Sequence, residues 1–176
     1  MRLFIALLLD GAARDQLRAM QRALGQRDPG ARLTRPENLH LTLAFLGEVP
    51  PGREAAVRRA MDQTPLPPLT LTFTKTGRFR RDGGDIWWAG LAANPALADV
   101  HRALTGELGR AGFPLEKRPF RPHLTLARQV DPALPLAELL PAGPFSTRVE
   151  EMHLMRSERL GGRLTYTPCY CRRANT

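Results

Sequence analysis

The ten residues from Arg35 to Ala44 return almost unchanged from Arg118 to Ala127. Arg-Pro-Glu-Asn-Leu-His-Leu-Thr-Leu-Ala becomes Arg-Pro-Phe-Arg-Pro-His-Leu-Thr-Leu-Ala, with seven of ten positions identical. The chain has four histidines, and two of them, His40 and His123, hold equivalent places in the repeat. Each copy alternates polar and apolar residues, the signature of a strand with one face buried. Residues i and i+2 of a strand share a face. His40 and Thr42 therefore point one way while Leu41 and Leu43 point to the core, and His123 and Thr125 repeat that arrangement.

The rest of the chain reads as elements arranged around this duplication. Residues 2–9 suggest a buried strand, and 12–26 a helix with Leu17, Met20 and Leu24 on one face. Asp28-Pro29-Gly30 is a turn. The first motif strand spans 39–46, and Pro51 opens a helix through Met61. Thr64 to Pro68 breaks it. Strands are expected at 69–75 and 86–91, joined by the turn Asp82-Gly83-Gly84. Asn94 caps a helix with Pro95 at its first position, running to about Arg110. The second motif strand spans 122–128. The proline-rich stretch 132–144 holds at most a short helix. Strands at 148–155 and 163–171 follow, the second after a hairpin turn at Gly161-Gly162. Both motif strands follow a helix. The expected fold is α+β: one domain over 1–176, built from two pseudo-twofold units, about 1–84 and 85–176, sharing one core.

A length of 176 residues with 43% hydrophobic content suffices for a real core. No apolar run reaches the roughly 20 residues of a membrane span. Leu3 to Leu9 is too short, lacks a small-residue cleavage site and ends at Asp10, so it reads as a strand and not a signal peptide. The net charge is +9, and arginine outnumbers lysine twenty-four to two. Such a surface suits an acidic polymer or a phosphorylated ligand. Cys169 and Cys171 are one residue apart; on a strand they would share a face, and such neighbours rarely bridge. With no Cys-x-x-Cys pair or second ligand cluster, metal binding is not expected, and a reducing cytoplasm fits.

Two imidazoles and two hydroxyls facing one cleft suit metal-free phosphodiester cleavage. One imidazole takes a proton from the attacking oxygen and the other gives one to the leaving oxygen. Hydroxyls and a guanidinium stabilise the charged phosphoryl oxygens. Five residues after each histidine the copies diverge, to Phe45 and Arg128. By strict alternation both lie on the face opposite the histidines, so they reach the site only if a bulge or strand end turns them. Turned, Arg128 would pair with phosphate and Phe45 would stack on a base or ribose; unturned, Phe45 packs in the core and Arg128 is a solvated strand end.

The paired His-x-Thr motifs resemble those of the 2H phosphoesterase superfamily, and more closely its RNA 2′,3′-cyclic phosphodiesterases, also called 2′-5′ RNA ligases. The resemblance includes Arg2 to Leu7, Arg35 to Leu43 with Phe45-Leu46-Gly47, Trp88-Ala89-Gly90, Phe120 to Arg128, and Ser157 to Tyr166. It implies a bilobed fold with the motif strands facing a central groove. It also implies metal-independent opening of RNA or oligonucleotide 2′,3′-cyclic phosphate ends to a 2′-phosphate, with no cofactor. By resemblance, His40 is the proton donor and His123 the acceptor; the strand faces, given the turn at Phe45 and Arg128, make Thr42, Thr125, Arg128 and Phe45 the expected substrate-binding residues.

Other readings remain: the same site run in reverse as an ATP-independent 2′-5′ RNA ligase, a non-catalytic RNA- or nucleotide-binding module, or a histidine-based metal enzyme. The module has no need of two titratable groups, and the metal enzyme lacks nearby carboxylate or cysteine ligands in the sequence. No membrane association or obligate protein partner is expected. His101 reads as a surface helix residue and His153 as a packed or edge strand residue. Arg78, Arg80 and Arg81 flank a glycine turn, either as a solvated tip or as a hold on RNA backbone.

Overall fold

The computed structural model describes residues 1–135 and 143–175. In chain order its elements are β1 (Arg2–Leu7), α1 (Gly11–Arg27), β2 (Arg32–Leu33), β3 (Leu41–Glu48), α2 (Glu54–Gln63), β4 (Leu69–Phe79), β5 (Asp85–Leu91), α3 (Pro95–Arg110), β6 (His123–Val130), β7 (Phe145–Val149), β8 (Glu151–Leu160) and β9 (Arg163–Arg173). Short 3-10 turns at Pro36–Asn38 and Pro51–Arg53 lead into β3 and α2. Two antiparallel sheets result, one in the order β3-β1-β8-β9 and the other β2-β6-β5-β4-β7.

The helices begin where side chains can satisfy free backbone donors. Asp10 accepts from the Ala13 N–H at 2.8 Å ahead of α1, and Asn94 accepts from the Leu97 N–H at 3.0 Å ahead of α3. Such caps contribute about 1 kcal/mol each. Leu17, Met20 and Leu24 of α1 and Leu97, Val100, Leu104 and Leu108 of α3 form buried stripes. They join Ile5 and Leu154 of the first sheet and Phe73 and Trp87 of the second in one continuous core. On the other face of the first sheet Phe4, Ala6 and Met155 form a smaller cluster roofed by Tyr166.

The boundary expected near residue 84 does not divide the sheets. The segments β1-α1-β3 and β5-α3-β6 do correspond, each placing a motif strand antiparallel to its unit's first strand. One later strand of each half, however, crosses over. β4 pairs with β5 and β7 in the second sheet, while β8 pairs with β1 and β9 in the first. Each sheet thus holds strands from both halves of the chain, because hairpin β4–β5 spans the expected division in one sheet and β8 pairs with β1 in the other.

Other expectations shift locally. The strand expected at 148–155 is two strands, split at the exposed Glu150 and belonging to different sheets. β4 extends to Phe79, so Arg78 lies within a strand and not at the turn. The two-residue β2, which no periodicity reveals, pairs with β6. Gly161 and Gly162 both have positive φ, 56° and 77°, as a type I′ hairpin turn requires. Much of the proline-rich stretch expected at 132–144 lies outside the described residues. Among the described residues, no helix is long and apolar enough to cross a membrane.

Candidate active site

Both motif strands carry a bulge at the same repeat position. Along β1–β3, Ile5 pairs with Ala44 and Ala6 with Thr42, leaving Leu43 extra. Along β5–β6, Trp87 pairs with Ala127 and Trp88 with Thr125, leaving Leu126 extra. Two consecutive residues then face inward, Leu43-Ala44 and Leu126-Ala127, all buried. The alternation flips after each pair. Phe45 and Arg128 are thereby carried to the face of Thr42 and Thr125, and Phe45 is 65% exposed, which excludes a core-packing role.

The second bulge is held from behind. Gln21, buried on α1, donates its side-chain amide to the carbonyls of Thr34 (2.7 Å) and Leu126 (2.9 Å). Thr34 donates its N–H to the Leu126 carbonyl at 2.9 Å and its hydroxyl to the Thr125 carbonyl at 3.0 Å. Gln21 falls on the apolar stripe of α1, and a polar residue there was the available sequence signal.

Each catalytic candidate is oriented in the same way. His40 donates Nδ1–H to the Asn38 carbonyl and His123 to the Arg121 carbonyl, both at 2.7 Å. A carbonyl can only accept, so the bond fixes the neutral tautomer and leaves Nε2 as the reactive nitrogen. The partner is the backbone two residues earlier, so the repeat tolerates Asn in one copy and Arg in the other. Asn38 is itself buried and fastened by its side-chain amide to the Leu164 carbonyl at 3.1 Å. On the other side, Nε2 of His40 lies 2.9 Å from the Thr42 hydroxyl.

Aromatic rings wall each imidazole. Phe4 and Tyr166 stand 4.9 and 5.2 Å from His40, and Phe79 and Trp88 stand 5.0 and 6.1 Å from His123, between ring centres. Trp88 lies over Gly77, where an added Cβ would come within 2.2 Å of the indole. A cavity of about 560 Å³ opens beside His123, lined by Phe79, Trp88, Phe120, Lys75 and Arg121 among others.

Although the motif strands belong to different sheets, β3 and β6 run close together. Burial pushes the His40 pKa below the ordinary histidine range, and the positive charges of His123 and Arg128 add to that effect, against the Asn38 carbonyl. The two motif strands face one groove. Thr42 and Thr125 are half-buried on its walls.

The remaining sequence candidates lie elsewhere. Arg78 and Arg80 pair with the buried Asp85 at 3.5 and 2.9 Å, and both donate to the Pro132 carbonyl. They fasten the β4–β5 hairpin to the segment after β6, while Arg81 lies over the Phe79 ring. His101 is not a bare surface residue; it stacks on Phe120 at 3.8 Å, bracing the loop before His123. Cys169 and Cys171 do not share a face. The ladder shifts between Tyr170 and Pro168, which turns Cys169 against the core and leaves Cys171 opposite His153.

Two antiparallel sheets that place duplicated His-x-Thr strands on a shared groove define a class, and the comparisons agree with it. The sequence matches the 2′-5′ RNA ligase superfamily over residues 7–161, and the chain belongs to that superfamily. It is 34% identical over 168 residues to the RNA 2′,3′-cyclic phosphodiesterase of Escherichia coli (strain K12), covering 95% of this chain and 93% of that protein. The structure is similar to E. coli LigT complexed with 3′-AMP, with a TM-score of 0.85, 31% identity and coverage of 99% and 98% of the two chains. It is also similar to TT0787 of Thermus thermophilus, with a TM-score of 0.82, 28% identity and coverage of 97% and 96%.

Proposed function

We propose that this protein hydrolyses 2′,3′-cyclic phosphate ends of RNA or oligonucleotides to a 2′-phosphate, by acid/base catalysis with two histidines and without a metal. The observation that carries the reading is the matched pair of imidazoles, each held through Nδ1 by a carbonyl two residues back so that Nε2 is the reactive nitrogen, at motif strands that run close together.

In the reaction, His123 takes a proton from water as its oxygen attacks phosphorus. The bond from phosphorus to O3′ breaks, and His40 gives its proton to the departing O3′. The 2′-phosphate remains on the ribose. The lowered pKa makes His40 a stronger acid, and an arriving phosphate anion restores its proton. Thr42 and Thr125 bond the non-bridging oxygens, and Arg128 offsets the charge that grows on them. Phe45, exposed on the His40 side, stacks on the terminal base.

A second reading of the same site would make use of the cavity beside His123. An oxygen activated by His123 enters from that side, where Trp88, Phe79, Lys75 and Arg121 offer stacking and charge to a second RNA end. A 5′-hydroxyl in place of water would lose its proton to His123 and attack phosphorus, O3′ would leave with the proton of His40, and a 2′-5′ linkage would form.

The test is turnover of a nucleoside 2′,3′-cyclic phosphate in the presence of chelator, with the product isomer identified by phosphorus NMR. A 2′-phosphate formed at undiminished rate is expected. A 3′-phosphate, or activity that needs an added divalent ion, would overturn the mechanism.

A further inference from the structure

Away from the histidine pair, the last two strands gather a second group of chemically capable side chains. Glu151 and His153 are two residues apart on β8 and so share a face. Cys171 of β9 stands directly opposite His153 in the ladder. One donor atom from each of the three lies within 4.8 Å of the others. His153 Nε2 is 3.3 Å from Glu151 Oε2, while Arg173 takes the other carboxylate oxygen, Oε1, at 3.2 Å. The carboxylate is therefore divided, with one oxygen committed to Arg173 and one turned to the imidazole. His153 Nδ1 is buried with no hydrogen-bond partner.

We propose that Glu151, His153 and Cys171 form a binding site for a thiophilic divalent cation of the zinc type. A thiolate, an imidazole and a carboxylate oxygen are the borderline-soft ligands such an ion takes, and they suit neither magnesium nor calcium. Tetrahedral ligation at about 2.0–2.3 Å separates donors by roughly 3.3–3.8 Å. Side-chain rotations closing the trio by about 1 Å reach that geometry, and a fourth position remains for water. Burial, with the Glu151 carboxylate beside it, pushes the Cys171 thiol pKa up. On binding, the thiol proton leaves to solvent as the sulfur–metal bond forms.

The site is separate from the reaction. Ladder pairing places Thr42, Ala6, His153 and Cys171 in one row across β3, β1, β8 and β9. At about 4.8 Å per strand, His153 is roughly 10 Å from Thr42. An ion there would stand two strands away from Thr42 and is not needed for the proton transfers of His40 and His123. What it does is tie β9 to β8 and stabilise the chain as a bound ligand.

Cobalt(II), added to the full-length protein after chelator treatment and dialysis, is the probe. One equivalent should give a thiolate-to-cobalt charge-transfer band in the near ultraviolet with visible ligand-field bands of tetrahedral intensity, and zinc should abolish both. Cys171→Ser should lose the charge-transfer band, His153→Gln should weaken binding by about 10-fold or more, and Cys169→Ser should behave as the parent. Absence of the band in the parent protein, or its persistence in Cys171→Ser, would overturn the proposal. Hydrolysis of the cyclic phosphate, measured on the same samples before cobalt is added, should be equal in the parent and Cys171→Ser.

Discussion

Replacing Gln21 with Leu tests whether the bulge in β6, and through it the position of Arg128, depends on a side chain outside the groove. The substitution keeps the volume close and removes two donated hydrogen bonds, to Thr34 at 2.7 Å and Leu126 at 2.9 Å. The Leu126 carbonyl keeps the Thr34 N–H, but the Thr34 carbonyl loses its side-chain donor. A net hydrogen bond contributes about 0.5–1.5 kcal/mol, and a stranded buried acceptor costs about 1–3. The added apolar contact of Leu offsets part of this, so a loss of about 1–3 kcal/mol is expected, read as a lower urea midpoint at constant slope. Activity carries the sharper prediction. If the strand relaxes to regular pairing, every residue after the bulge changes face, and Arg128 leaves the groove. Gln21→Leu should then lower kcat/KM for a nucleoside cyclic phosphate toward the level of Arg128→Ala. In the Arg128→Ala background it should lower kcat/KM no further, because the two act through one geometry. A stable Gln21→Leu protein with parental kcat/KM, or a full additional loss in the double variant, would refute this account of the bulge.

Other outcomes follow from the same structure. His40→Ala and His123→Ala should each lower kcat by about 10²–10⁴-fold, with the double variant little worse than the poorer single, as steady-state kinetics will show. Phe45→Ala should raise KM by an amount equivalent to about 1–3 kcal/mol if the ring stacks on the base. It should leave the melting temperature unchanged, because the ring is 65% exposed. His40, His101 and His153 all have pKa values lowered chiefly by burial, so the unfolded chain binds more protons than the fold below the ordinary histidine value. Stability should be full above about pH 6.5 and fall as pH drops from there through the lowered values, seen as a smaller urea midpoint near pH 5 than near pH 7.5. An unchanged midpoint across that window would count against burial as the cause.

The sequence alone determined the nature of the chemistry and most of the elements. Two copies of His-x-Thr are visible without a fold, and so are the capping residue Asn94 and the stripe of Leu17, Met20 and Leu24, because caps and periodicity depend on residues a few positions apart. The need for a bulge at Phe45 and Arg128 was legible too, as a conflict between strict alternation and a use for those side chains. Only the tertiary structure decided that the conflict is resolved at Leu43 and Leu126. It also decided that Gln21 and Thr34 hold the second bulge, and that Asn38 is pinned by a strand more than a hundred residues later. The crossing of β4 and β8 between sheets, the placement of Arg78 and Arg80 on Asp85, and the meeting of His153 with Cys171 belong to the same class. Each depends on which strand pairs with which, and in what register. Register is selected by the burial of the whole core at once, so no local stretch of sequence carries it.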